Sequence, residues 1–321
     1  MRAIEYTRFG DTDVLTLAER DTPQPKGNEV RVKVSAAGLN PIDYKTRKGL
    51  GFVASKIKAQ LDDQVGWVPG YDIAGVVDAV GDECRDWSVG DQVMGMIGFA
   101  LQGGAYAEYV ITTPELLCQV PDNLDLNAAA GVPLAALTAW QALFEVGSVK
   151  EGDKVLIHAG AGGVGHFAVQ FAKARGAYVI ATASGRNHDF LYTLGVDEAI
   201  DYTRTDFVDA CYGLDFVLDT MGGDVGHWSL GVLASTGQMV TVPTVTAEQI
   251  IKEGDKLGIK TAGLTVHPDQ QALADIAELI DTADVQVHVD QQYPLQDVKS
   301  AHAELERGHV RGKLVLTMAA G

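Results

Sequence analysis

Six consecutive residues, Gly160-Ala161-Gly162-Gly163-Val164-Gly165, set glycines at the first, third and sixth positions of one short stretch. Each glycine has a separate physical use. Gly160 permits a tight turn, Gly162 lets a pyrophosphate approach the backbone, and Gly165 lets a following helix pack closely. The helix start then offers free N–H groups and partial positive charge to phosphates. The alternative is a glycine-rich turn in an ordinary βαβ unit. About twenty residues on, a site for NAD places Asp or Glu against the ribose 2′-hydroxyl. This chain reads Ala183-Ser184-Gly185-Arg186-Asn187, with no acid. The Ser184 hydroxyl and the Arg186 guanidinium suit a 2′-phosphate, so NADPH is the expected cofactor. The competing reading makes Arg186 a solvated surface residue.

The elements needed to position this loop are legible around it. KVLIHAG (154–160) is a continuous apolar run, as expected of a parallel strand buried on both faces. Val164, Phe167, Ala168, Phe171 and Ala172 follow at helical spacing, with Gly176 after the last turn. Further strands are expected at 178–184, 215–222, 237–243 and 260–266, with helices at 187–195 and near 226–234. Strands alternating with helices imply βαβ units and a parallel sheet. The first third is different. VRVKVSAAG (30–38) alternates valine with charge, and 71–81, 91–98 and 104–112 are short glycine-punctuated β runs. Before about residue 127 no helix is expected beyond a turn or two at 41–60. The tail is mixed: a helix at 267–285 capped by Asp269, a strand at 285–290, a helix at 295–308 ending at Gly308, and a strand at 313–318.

Composition bounds the function. With 321 residues, about two domains are expected. A hydrophobic content of 46% with 21% charged residues excludes general disorder. The net charge of −18 argues against nucleic acid and polybasic membrane surfaces, both of which need excess Lys and Arg. No apolar run of about 18 residues exists to span a membrane. The stretch 128–140 is broken by Pro133 and reads as a buried helix. The first ten residues, MRAIEYTRFG, have no apolar core of a signal peptide. Cys84, Cys118 and Cys211 are widely spaced without a CxxC pair. Neither a disulfide framework nor a Cys-rich zinc site is expected, and three thiols fit a reducing cytosol. The eight histidines are scattered and read as surface or internally satisfied side chains.

Seven landmarks in this order make the whole chain resemble a zinc-independent medium-chain dehydrogenase/reductase of the NADPH:quinone oxidoreductase group. They are AAGLNPIDYKTRKG (36–49), PGYDIAGVV (69–77), VGDQVMG (89–95), GAYAEY (104–109), LTAW (137–140), HAGAGGVG (158–165) and GKLVL (312–316). The resemblance implies an α/β protein. A GroES-like, β-rich catalytic domain, 1–126 with 267–321, would carry an inserted doubly wound Rossmann domain, 127–266, with the active site in a cleft between them. It implies hydride transfer from NADPH to a quinone or an α,β-unsaturated carbonyl. A zinc-free alcohol or ketone reductase and a low-turnover NADPH-binding redox sensor or structural protein are the competing readings. A homodimer is expected, with 260–266 as the pairing edge strand.

The resemblance also distributes roles. Zinc-dependent relatives hold their metal at positions matching Asn40, Tyr71 and the neighbourhood of Leu134–Ala135, and a structural zinc near 95–105, where no Cys occurs. No metal is therefore expected. Asn40 becomes the expected donor to a substrate carbonyl, with Tyr71, Asp43 and Tyr44 as further candidates. Their alternative readings are a turn cap for Asp43 and a core residue for Tyr71. Thr138 and Val242 are expected beside the nicotinamide, Tyr202 against the 2′-phosphate, and Lys313 at the pyrophosphate unless it is a solvated strand-edge lysine. Related enoyl reductases carry a tyrosine shortly after the RxG element; Gly49-Leu50-Gly51-Phe52 departs from that pattern. The segment 51–68 is longer than the family pattern and is read as a lid or a surface excursion.

Overall fold

The computed structural model describes residues 1–61, 66–282 and 284–318. The chain divides into two compact units. One holds Met1–Leu134, His267–Thr282 and Val287–Gly321, the other Ala135–Val266 with Ala283–Gln286.

In the first unit β1 (Arg2–Glu5) and β2 (Thr16–Glu19) form an antiparallel pair. A larger sheet is built on β3 (Val30–Gly38), with β4 (Asp72–Val80) antiparallel to it. β5 (Gln92–Met96) pairs with β4, β6 (Tyr109–Thr112) returns to β3, and β7 (Leu117–Gln119) pairs with β5. The alternation in β3 works as the sequence implies: Val30, Val32 and Val34 are buried, while Arg31 and Lys33 are not. Each such side chain contributes about 1.5–3 kcal/mol on burial. Gly75 lies where β3 comes too close for a side chain, since a Cβ there would stand 2.2 Å from the Lys33 carbonyl oxygen. The helix Leu126–Ala129 packs on β3 and β4, which keeps residues up to Leu134 with this unit. The first join therefore falls eight residues beyond the 126/127 boundary expected from the sequence.

The second unit is a six-stranded parallel sheet. Its strands are β8 (Lys154–Ile157), β9 (Tyr178–Ala183), β10 (Glu198–Asp201), β11 (Leu214–Asp219), β12 (Leu233–Thr241) and β13 (Lys260–Gly263). The spatial order is β10-β9-β8-β11-β12-β13. This is the doubly wound order 3-2-1-4-5-6, and its direction reverses between β8 and β11. A crevice opens outside the carboxyl ends of the strands at such a reversal. The chain then returns to the first unit with β14 (Val289–Pro294) and β15 (Lys313–Thr317), and β15 inserts between β14 and β3.

Several expectations need correction. Residues 285–288 are not strand: the Gln170 side-chain amide donates to the Gln286 carbonyl and accepts from its N–H, replacing a ladder partner. In 104–112 only Tyr109–Thr112 is strand, and Ala107 makes an isolated bridge to Ala3. The helix Thr244–Leu257 was not anticipated. In 51–68, the helix Gly51–Ile57 buries Val53, Ala54 and Ile57, so this part is docked and not a free excursion. Residues 62–65 of that segment lie outside the described residues.

Candidate active site

The glycine loop follows β8 and leads into the helix Gly165–Ala174. Its three glycines are unlike one another. A Cβ on Gly160 would meet the Ala181 side chain at 2.7 Å, and one on Gly165 would stand 2.2 Å from the Ala159 carbonyl oxygen. Both are packing glycines. A Cβ on Gly162 would meet only that same oxygen, at 3.2 Å. Gly162 thus faces open space beside a ten-residue helix start, which suits a pyrophosphate and fits a dinucleotide.

The other expected cofactor residues follow neighbouring strand ends. Ser184 and Arg186 come directly after β9, where Ser184 precedes a single turn, Gly185–Asn187. The Ser184 hydroxyl accepts from the Asn187 side chain at 3.3 Å. Tyr202 follows β10, is 56% exposed, and donates its N–H to the Ala183 carbonyl. Val242 follows β12 and donates its N–H to the Asp219 carbonyl at 2.8 Å. The Asp219 carboxylate shapes the loop after β11 by accepting the N–H groups of Met221 and Gly222. Thr138 is buried in the helix Pro133–Trp140 and is placed by no strand end. An acid does reach the 184–187 turn, but from β10. Asp201 accepts from the Thr203 hydroxyl and N–H and from the Gly185 N–H, which hold its carboxyl below the usual range.

The first unit gathers the acid–base candidates. Asn40 begins the helix Pro41–Arg47, whose Pro41 suits a first helical position. Its N–H donates to the Asp43 carboxylate at 2.8 Å, so Asp43 does cap the turn. The Asn40 side chain works elsewhere: Nδ2 donates to Asp72 Oδ2 at 2.8 Å, and Oδ1 accepts from Lys313 Nζ at 2.5 Å. Lys313 also donates to the Leu39 carbonyl and lies 3.7 Å from Asp72. The second Asp72 oxygen accepts from the Leu134 N–H. Lys313 is therefore neither solvated nor on a sheet edge. Burial lowers its pKa against the pull of Asp72, and burial raises that of Asp72 against the pull of Lys313.

Asp43 is 1% exposed, and burial pushes its carboxyl up to about 7. The Tyr106 hydroxyl donates to it at 3.1 Å. Tyr71 is buried edge-on to Phe99 at 5.1 Å, and burial and the charge of Asp43 raise its pKa, which keeps the phenol protonated. Both readings of Tyr71, core residue and site residue, agree with this placement. Tyr44 is half-buried with Glu306 and Lys48 as its charged neighbours, so the structure does not bring it to the Asn40 cluster. Asp72 and Tyr106 were missed in the sequence. Their signal was a charge opening the apolar run Ile73–Val77 and a tyrosine in an alanine-rich run.

A parallel sheet of this order with an open phosphate loop defines a dinucleotide-binding protein, here joined to a β-rich unit. Residues 26–122 match the family described as alcohol dehydrogenase GroES-like domain, and 194–316 that described as zinc-binding dehydrogenase. The latter stretch includes none of Asn40, Tyr71 and Leu134. The chain is similar to the chloroplastic quinone-oxidoreductase homolog of Spinacia oleracea, 31% identical over 98% of each chain. It is 35% identical to the NADPH-dependent alkenal/one oxidoreductase of Arabidopsis thaliana, covering 98% of this chain and 79% of that one. The solved quinone oxidoreductase of Coxiella burnetii superposes with a TM-score of 0.94 at 43% identity over 99% of each chain. The chain belongs to the medium-chain dehydrogenase/reductase superfamily, in its quinone oxidoreductase group.

Proposed function

We propose that the protein is an NADPH-dependent oxidoreductase that reduces a quinone or an α,β-unsaturated carbonyl without zinc. The open face of Gly162 at the start of the helix Gly165–Ala174 carries this reading, in a chain whose relatives are named for those reactions. NADPH, when bound, supplies the hydride. Residues 160–164 hold its pyrophosphate, Ser184, Arg186 and Tyr202 its 2′-phosphate, and Thr138 and Val242 flank the nicotinamide. Asn40 has a second Nδ2 hydrogen beyond the one given to Asp72, and that hydrogen serves the acceptor's carbonyl oxygen. Tyr71 is a second donor. Asp43, poised near neutrality and fed by Tyr106, suits proton exchange with the product.

Zinc-independence rests on chemistry of the residues present. An amide, a buried phenol and a leucine stand where a zinc site needs N, S or carboxylate ligands. The Lys313 ammonium also lies 2.5 Å from Asn40, which opposes a second cation there. Among the described residues no helix is long and apolar enough to cross a membrane. The three free, buried cysteines suit a reducing compartment, and β13, an edge of its sheet, suits pairing in a homodimer.

The test is steady-state oxidation of NADPH against a panel of quinones, enones and simple ketones, with and without chelator. Turnover confined to ketones, or lost on chelation, opposes the reading. Gly162→Val should abolish NADPH binding in calorimetry. The apo melting temperature should move only a few degrees, as for about 1 kcal/mol.

A further inference from the structure

Among the described residues, Ala159 alone of the non-glycine residues has positive φ, at 49°. Such a conformation costs about 1–3 kcal/mol and persists only where surroundings enforce it. Ala159 opens the glycine loop, and its carbonyl accepts from the Gly162 N–H at 2.9 Å. Its own N–H donates to Thr182 Oγ1 at 3.1 Å. Thr182 Oγ1 is 3.2 Å from His158 Nδ1, and His158 Nε2 is 2.8 Å from Ser229 Oγ. The Ser229 hydroxyl donates to the Val225 carbonyl at 2.7 Å.

With the Ser229 hydroxyl given to Val225, one arrangement of protons follows along the rest of this chain. Ser229 has a single hydroxyl hydrogen, which goes to Val225, so its oxygen accepts from His158 Nε2–H. A neutral imidazole then has an acceptor at Nδ1. Nδ1 takes the Thr182 hydroxyl hydrogen and leaves the Thr182 oxygen to accept the Ala159 N–H. The His158 carbonyl meanwhile accepts from Thr220 Oγ1 at 2.8 Å, which ties in the loop after β11. The ring is 1% exposed, and burial lowers its pKa to about 4, so it remains neutral.

We infer that His158 is a positioning residue for the dinucleotide. Its neutral ring, with the hydrogen on Nε2, ties the strained start of the glycine loop to the end of β9 and to the helix Gly223–Ser229. This sets the shape of the phosphate-binding loop before any cofactor arrives. The inference rests on reading that loop as the NADPH site. A preformed loop saves ordering cost on binding, so damage to the chain should weaken affinity even when the fold survives.

The experiment compares wild type with Ser229→Ala, Thr182→Val and Thr182→Ser by calorimetric titration with NADPH, apo thermal melts and 15N NMR of the wild-type histidine ring. Ser229 lies on its helix and reaches the loop through His158, so it reports on the relay. Ser229→Ala and Thr182→Val should each raise the dissociation constant about five- to tenfold, the equivalent of one net hydrogen bond. Thr182→Ser keeps the oxygen and should stay within about twofold. The double variant should be less than the product of the singles. The wild-type spectrum should show pyrrole-like Nε2 and pyridine-like Nδ1. Lowered melting temperatures with unchanged affinity would reduce His158 to a structural role and overturn the inference, as would a proton on Nδ1. If one variant fails to fold, the affinity of the other against that of Thr182→Ser still decides. A wild type that binds no NADPH overturns the cofactor reading and this inference with it, which is a different result from normal wild-type affinity with indifferent variants.

Discussion

Two buried polar clusters, one in each unit, differ in how fully their hydrogen-bonding capacity is used. Around His158 every donor named above meets one acceptor. Around Asp43 the cluster stays open: Asp43 Oδ1, the Tyr6 hydroxyl and Thr46 Oγ1 are buried without partners. Each open group costs about 1–3 kcal/mol. A closed network fixes geometry, whereas an open one keeps capacity to take a ligand or exchange a proton. The difference separates a closed polar network from an open one within one chain, even though Asp43 and His158 are equally hidden from solvent.

The sharpest way to break this comparison is to open a part that is closed in the first unit. Lys313→Met leaves the Asp72 carboxylate buried without its cation. It should cost about 3–5 kcal/mol of unfolding free energy in denaturant titrations. Adding Asp72→Asn should recover much of that loss, and a single variant as stable as wild type would show that the pair carries no weight.

Next in size is the pH dependence. The Asp43 carboxyl titrates near 7 when folded, against 3.8 for an ordinary aspartate. Between those values the folded state holds a proton that the unfolded chain has lost. Its contribution is complete below about pH 4 and is lost as pH rises through 7. Asp43→Asn should remove a drop on the order of 2–3 kcal/mol between pH 5 and 8. The histidines run oppositely. His158 and His302 are lowered to about 4 and about 3 by burial, so their contribution is lost as pH falls from about 6.5. Urea unfolding at several pH values separates the two trends. An Asp43→Asn variant whose stability differs from wild type by the same amount from pH 5 to 8 would contradict the Asp43 trend.

The smallest expected effect sharpens cofactor choice in the second unit. Arg186→Ala should weaken NADPH by about 1.5–3 kcal/mol and leave NADH nearly unchanged. Asp201→Asn should act in the opposite direction, since it removes a negative charge beside the same turn. Equal losses for both cofactors in the Arg186 variant would place the 2′-phosphate elsewhere.

What was legible in the sequence follows from local patterning. The glycine loop, the alternation of β3 and the βαβ order are written in adjacent residues. The helix Thr244–Leu257 escaped because its apolar stripe is thin, Ala247, Ile250 and Ile251, with only Ile250 fully buried, while Val245 and Leu257 off the stripe are exposed. The strand expected at 285–290 alternates well, but Gln170, more than a hundred residues away in sequence, supplies the partner groups there. The Asn40 position was marked by its motif. Its working partners were not, because Asp72 and Lys313 come from strands that meet it only in the folded sheet. The eight histidines read together as surface or internally satisfied side chains, and His158 is of the second kind; its satisfaction is what gives it a task.

The insertion of β15 between β14 and β3 has a bearing on the order of assembly during synthesis. Residues 135–266 leave the ribosome as one nearly continuous block and can close their parallel sheet while the rest is still being made. Asp72 emerges long before them, yet its ammonium partner arrives only with residue 313. Until then the N-terminal half carries an unmatched carboxylate in an incomplete sheet, with the end of β3 at Ala36, Ala37 and Gly38 open to other chains. The nascent protein is therefore most exposed to misassociation in its first half, and the last strand to be threaded in is the one that neutralises it.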